Sequence, residues 1–228
     1  MDKLDILLLS GGMGTRVGAA VPKQLLKLHG VPILVYSLRE IDKLERINNI
    51  ILNYPGEWLD EYQSIITNYA IKKNVIFVPA GDSRQSSVSL MLDKVTTNNI
   101  LIHEAARPFV TARNYEEIIE STHQNVTFGL AIPFSVAKID HATQRISSNV
   151  DRSTLLNIQL PQKFNFEDLK RAHEFATQQG RDHTEDTSML VDIGLDVHTL
   201  QGSSRNIKVT TPEDLAVANI LAEKLDTL

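Results

Sequence analysis

Leu7-Leu8-Leu9-Ser10-Gly11-Gly12-Met13-Gly14-Thr15-Arg16, closed by Pro22-Lys23-Gln24, is the stretch that decides how this chain folds. An apolar run leads directly into a glycine-rich turn carrying two cations. That order predicts a buried strand whose carboxyl end opens into a loop of backbone N–H groups able to cradle phosphate. Three phosphate-binding patterns compete. A P-loop needs four residues between its first glycine and Gly-Lys-Ser/Thr, and that spacing is absent. A dinucleotide fingerprint needs a third glycine three residues after Gly14, where Val17 stands, and an acid at the end of the second strand, where Asn53-Tyr54-Pro55 stands. A nucleotidyltransferase loop fits best: small residues let the backbone approach a triphosphate while Arg16 and Lys23 neutralise it. A bare Gly-Gly-x-Gly turn is as readily a plain turn with solvated cations, and Pro22-Lys23-Gln24 makes this one more specific.

Outward from that loop the first half alternates short Ile/Leu/Val-rich runs with longer amphipathic ones. Residues 4–10, 47–52, 74–79, 99–103 and 127–134 read as strands, and 33–44, 57–71, 83–95 and 111–122 as helices. The alternation predicts right-handed crossovers, a mostly parallel twisted sheet with helices on both faces, and ligands at the carboxyl ends of the strands. Residues 135–149 lose helical period and read as a projecting β-arm, with 135–158 as the whole excursion and its exposed edges hinting at a dimer. After 154–160 come a helix at 166–178, another starting near 184–188, and strands at 197–201 and 206–209. The last helix is marked by Thr211 as N-cap, Pro212 at its first position, and Glu213 and Asp214 at its positive end. A single α/β domain over 1–228 is expected.

Composition narrows the function. Of 228 residues, 42% are hydrophobic and 22% charged, which is enough for a sizeable core, and the net charge of −5 gives no support to nucleic-acid or membrane-surface binding. With no cysteine, disulfides, thiolate metal sites and a cysteine nucleophile are all excluded. The seven histidines lack metal-ligand spacing, and no apolar stretch approaches the ~20 residues of a membrane span. The expected setting is the cytoplasm.

Further pieces accompany the loop: Gly81-Asp82-Ser83-Arg84-Gln85-Ser86-Ser87-Val88, His103-Glu104-Ala105-Ala106-Arg107-Pro108, Val150-Asp151-Arg152, Pro161-Gln162, and Asn206-Ile207-Lys208-Val209-Thr210 followed by Pro212-Glu213-Asp214-Leu215. In kind and order this set resembles the cytidylyltransferases that act on methylerythritol phosphate and ribitol 5-phosphate, over nearly the whole chain. The resemblance implies a Rossmann-like nucleotidyltransferase fold and transfer of CMP from CTP to a polyol phosphate with release of pyrophosphate, in isoprenoid or ribitol phosphate metabolism. It further implies Mg2+ bridging the CTP phosphates and a homodimer. Carried over by position, Arg16, Lys23 and Lys208 are the catalytic cations. Ser10, Gly11, Gly12, Gly14, Thr15, Gly81, Asp82, Arg84 and Ser87 hold the nucleotide. Glu104, Arg107, Arg152 on the arm and Thr184 take the acceptor, with Glu104 a candidate to assist the metal.

Read without the resemblance, Asp82 and Arg84 are a helix-start acid and a local ion pair, Lys208 an exposed position on an edge strand, and His103 a structural hydrogen-bonding residue. Two departures from the family pattern fall on the acceptor side: Glu104 replaces the usual Asp, one methylene longer, and Leu160 replaces the usual Thr before Pro161-Gln162. The acceptor, another sugar phosphate included, therefore stays open. Against the enzyme stand an NAD-dependent oxidoreductase, disfavoured by the missing glycine and acid, and a nucleotide-binding protein without turnover.

Overall fold

The computed structural model describes residues 2–14 and 21–225. Thr15 and Arg16 lie outside them. Leu4–Leu9 forms β1 and is buried throughout. Lys27–Leu28 and Val31–Pro32 form a small hairpin, β2 and β3. Then follow α1 (Ile33–Asp42), β4 (Ile47–Tyr54), α2 (Leu59–Asn68), β5 (Asn74–Pro79), α3 (Arg84–Leu92), β6 (Asn99–Glu104), α4 (Ala112–Glu120) and β7 (Val126–Ala131). The arm is β8 (Val136–Asp140) with β9 (Arg145–Val150), after which come β10 (Leu156–Asn165), α5 (Phe166–Gln178), α6 (Asp186–Asp192), β11 (His198–Gln201) and α7 (Pro212–Leu225).

Seven strands make one sheet in the order β5-β4-β1-β6-β10-β7-β11. Six run parallel and β10 runs against its neighbours β6 and β7. Successive β1 residues face opposite sides, as the two-residue period of a strand requires. Leu4, Ile6 and Leu8 pack with α1, α2 and α4, while Leu7 and Leu9 pack with α3, α5 and α6. Burial on both faces is why the run reads as continuously apolar rather than alternating.

The helix ends are set by local chemistry. Ser83 caps α3 in a reciprocal box with Ser86, Asn165 caps α5 by accepting from the Asp168 N–H, and the Thr211 hydroxyl accepts from the Asp214 N–H at the start of α7. A third small core joins α7 (Ala218, Ala222) to Leu28, Ile33 and Val209, docking the C-terminal helix beside the segment that follows the glycine loop.

Three expectations are corrected. Residues 206–209 alternate polar and apolar but form no strand: the Val209 N–H donates to the Ala106 carbonyl at 2.8 Å, and the burial of Val209, worth about 1.5–3 kcal/mol, comes from α7 and the β2–β3 hairpin. The edge-strand reading of Lys208 falls with it. The arm ends before 158, because Leu156 and Ile158 already pair with Ala131 and Gly129 in the main sheet. The Leu160 side chain is 1% exposed and sits in the core beneath α3 and α5, while its carbonyl accepts from Asn206 Nδ2 at 2.6 Å. No helix among the described residues is long and apolar enough to cross a membrane.

Candidate active site

Strand order reverses between β1 and β6, so the crevice for a ligand opens at their carboxyl ends. Leu9 and Glu104 are register partners there, which places Ser10 and the glycine loop beside the end of β6. The loop's first turn is held from below. The Ser10 N–H donates to Asn53 Oδ1 at 2.5 Å, and the buried Tyr62 hydroxyl donates to the Ser10 carbonyl at 2.9 Å while pairing with Ser10 Oγ at 2.8 Å. Burial pushes the Tyr62 phenol up, keeping it a proton donor. Asn53 thus occupies the strand end where a dinucleotide fold keeps its ribose acid, and uses its amide on the loop backbone. Gly11 must be glycine by close approach, since a Cβ there would lie 2.5 Å from Ala80 Cβ. Gly14 has φ of 70°, and a Cβ on it would lie 2.5 Å from Lys23 Cβ.

Facing this loop is a cluster of charges around Glu104, itself buried. Lys208 Nζ donates to Glu104 Oε1 at 2.7 Å, Arg107 Nε donates to Oε2 at 3.1 Å, and Arg84 Nε lies 3.9 Å from Oε1. Burial alone would raise the Glu104 carboxyl, but Lys208, Arg107 and Arg84 outweigh it and bring it down to about 2. Arg107 also donates to the Asn206 carbonyl, and Lys23 Nζ to the Val209 carbonyl at 3.1 Å, so the start and the end of the chain meet at one place. The ion pair of Arg84 with buried Asp186, Nη2 to Oδ2 at 2.6 Å, completes the group. Lys208, Arg107 and Arg84 stand against Glu104, Asp186 and the neighbouring Glu185, and Lys23 alongside adds a fourth cation, a positive charge suited to phosphate. His103, also buried, packs edge-on against Tyr115 with Nε2 3.3 Å from the Arg107 carbonyl; burial and then Arg107 pull its imidazole down to about 3, so it is neutral and structural.

The loop at 81–87 is braced as well. The Gly81 N–H donates to Ser87 Oγ at 3.0 Å, and Gln85 donates to the Arg181 carbonyl while accepting from the His183 N–H. A cavity of about 870 Å³ between α1, α4 and the β7–β11 edge is lined by residues that include Tyr36, Arg39, Phe109 and Gln159 and contains none of the Glu104 cluster. Geometry and charge, rather than size, locate the site at the strand ends. Glu104 does not fit a metal ligand as arranged, because both oxygens accept from cations. No group of three or more His, Cys, Asp or Glu among the described residues is placed to hold an ion.

A family model for 2-C-methyl-D-erythritol 4-phosphate cytidylyltransferase matches residues 4–224. The chain belongs to that family. Among relatives so named, those of Dictyoglomus thermophilum and Bacillus cytotoxicus are 34% and 36% identical, over 94% and 93% of this chain and 94% and 95% of their own. The 4-diphosphocytidyl-2C-methyl-D-erythritol synthase structure from Anaerococcus prevotii superposes with a TM-score of 0.85 at 21% identity, covering 97% of this chain and 99% of that one. The 2-C-methyl-D-erythritol 4-phosphate cytidylyltransferase structure from Thermus thermophilus gives 0.77, with the same identity and coverage. These two likenesses carry the nucleotidyltransferase fold.

Within this cytidylyltransferase, the residues singled out in the sequence divide into groups. Ser10, Gly11, Gly12 and Gly14 lie in the loop after β1, Lys23 beside it, and Gly81, Arg84 and Ser87 on the loop and first turn of α3, while Glu104, Arg107 and Lys208 converge. Asp82 and Thr184 are exposed on the flanking loops. Arg152 stands apart at the base of the arm, exposed and donating to the Pro133 carbonyl at 2.7 Å. Three residues packed into the site were not singled out: Asp186, Tyr62, and Gln162, whose fully buried amide donates to Glu185 Oε1 at 2.7 Å and Thr127 Oγ1 at 3.0 Å. Gln162 follows Pro161 in a short motif, whereas Tyr62 lies inside the helix predicted over 57–71 and Asp186 near the start of the one predicted from 184–188, and no spacing marks either for the site.

Proposed function

We propose that this chain transfers CMP from CTP to the phosphate of 2-C-methyl-D-erythritol 4-phosphate. An acceptor phosphate oxygen forms a bond to the α-phosphorus, the bond from that phosphorus to the bridging oxygen breaks, and pyrophosphate leaves with the electron pair. The observation that carries the reading is the convergence of Lys208, Arg107 and Arg84 on Glu104, beside the glycine loop, in a chain of this family. Bringing two anions together and stabilising charge on the α-phosphate is a task of positioning and electrostatics, and needs no covalent nucleophile.

In this reading Arg16 and Lys23 bind the triphosphate and Lys208 the α-phosphate, while residues 10–15 and 81–87 select the nucleotide. Arg107, held by Glu104, takes the acceptor together with Thr184. Mg2+ travels with the CTP phosphates as their counter-ion and draws no ligand from Glu104. Arg152 completes the acceptor site of a second copy in a homodimer joined through the arm. That role is supported by exposed Phe134 (74%) and Ile146 (76%), apolar side chains that another subunit would cover. The enzyme acts in the cytoplasm. The experiment is pyrophosphate release from CTP and Mg2+ against a panel of methylerythritol, ribitol and other sugar phosphates. Turnover with methylerythritol phosphate alone is expected; turnover confined to a different acceptor would move the substrate assignment.

A further inference from the structure

Asp186 opens α6 with no exposed surface, and a buried carboxylate costs several kcal/mol to desolvate unless it is well paired. Its two oxygens are divided between an element at the site and one away from it: Oδ2 lies 2.6 Å from Arg84 Nη2, and Oδ1 lies 3.1 Å from Nε2 of the buried His173 in α5. Arg84 is the first residue of α3, with side-chain exposure of 20%. All three of its guanidinium nitrogens are enclosed and none makes a well-aligned hydrogen bond among the described residues: Nη2 meets Asp186 as an ion pair, Nε comes within 3.9 Å of Glu104, and Nη1 has neither. An arginine on a flexible stem presents donors in a fixed direction only if something holds the fork. Asp186 is placed to do that from behind, and its segment is tied to the same loop by Ser83 Oγ to Asp182 Oδ1 (3.0 Å), Gln85 Nε2 to the Arg181 carbonyl (3.1 Å) and the His183 N–H to Gln85 Oε1 (2.7 Å).

We propose that Asp186, backed by His173, is a positioning residue for nucleotidyl transfer: it fixes the Arg84 guanidinium so that Nε and Nη1 face a substrate phosphate beside Glu104. The proposal rests on the cytidylyltransferase reading above and assigns Asp186 and His173 no contact with substrate. Asp186 stays ionised in this role, because Arg84 and His173 outweigh burial and bring its carboxyl down to about 2.

The test compares wild type, Asp186→Asn, Arg84→Ala, the Arg84→Ala/Asp186→Asn double variant, His173→Gln and His173→Leu. For each, kcat and both KM values are measured with CTP and methylerythritol phosphate, alongside the thermal midpoint. Asp186→Asn is expected to lower kcat on the order of 100-fold, the scale of a misplaced active-site group. The double variant should be no slower than Arg84→Ala alone, because the carboxylate acts through the arginine. His173→Leu should lose on the order of 10-fold, and His173→Gln, which still offers a donor to Asp186, should recover most of that loss. A kcat for Asp186→Asn within about twofold of wild type, or losses that multiply in the double variant, would overturn the proposal. If Asp186→Asn does not fold, the two His173 variants decide, and equal turnover in both overturns it. A wild-type chain that releases no pyrophosphate overturns the cytidylyltransferase reading itself, a result separate from any difference among variants.

Discussion

Replacing Glu104 with Gln removes a buried negative charge from among three cations, and its cost follows from the titration of the carboxylate. Glu104 is brought from 4.5 to about 2, against the burial that would raise it, by Lys208, Arg107 and Arg84. A drop of that size, at about 1.4 kcal/mol per pH unit, corresponds to about 3 kcal/mol of stability at pH 7. The figure is an upper one, because the Lys208 side chain is 39% exposed and solvent screens its share. The folded-state value is depressed, so the contribution is fully present above pH 4.5 and is lost as the pH falls through 2. Urea unfolding of wild type and Glu104→Gln at pH 7 and pH 3 should show a deficit of about 3 kcal/mol at pH 7 that falls to roughly half at pH 3. A variant within about 0.5 kcal/mol of wild type at pH 7, or a deficit equal at both pH values, would refute the charge-cluster account.

Lys208→Ala should cut kcat by about 100-fold or more in pyrophosphate release while leaving the thermal midpoint within a few degrees, since the lysine is half-buried and its carboxylate partner keeps Arg107. The buried neutral His103, at about 3 instead of the usual 6.5, gives a stability that falls by up to about 1.4 kcal/mol per pH unit between those values, because the unfolded chain binds the extra proton. His103→Gln should flatten that acid limb in denaturation measured from pH 6.5 to 4.5. For the proposed dimer, Ile146→Asp on the arm should give a monomer in sedimentation, and turnover should fall with it if Arg152 serves the neighbouring site; a mass equal to that of wild type would remove the arm from the proposed interface.

The strands at the centre of the sheet were legible because burial on both faces leaves an unbroken apolar run, as in Leu4–Leu9, and α5 was legible end to end because Asn165 caps a clear amphipathic period. Helix ends were read too long at Leu44, Ile71 and Val95. These apolar residues keep the period going yet pack onto the core from turns. Residues 206–209 have a strand's alternation without a strand's neighbour; their burial is supplied by α7, which no local pattern reveals. On the site, the glycine loop and the cations around Glu104 could be named because each sits in a short motif. Asp186 could not: its meaning comes from Arg84 and His173 on two other helices, and tertiary pairing of that kind leaves no spacing to read.

Steady-state pyrophosphate release from CTP and Mg2+ with methylerythritol phosphate, run beside Lys23→Ala, decides whether the glycine loop and its lysine serve nucleotidyl transfer. Rapid release by the wild type and loss of about 100-fold or more in a folded Lys23→Ala variant is the predicted result. An unchanged rate in the variant, or no release by a folded wild type with this acceptor, would contradict it.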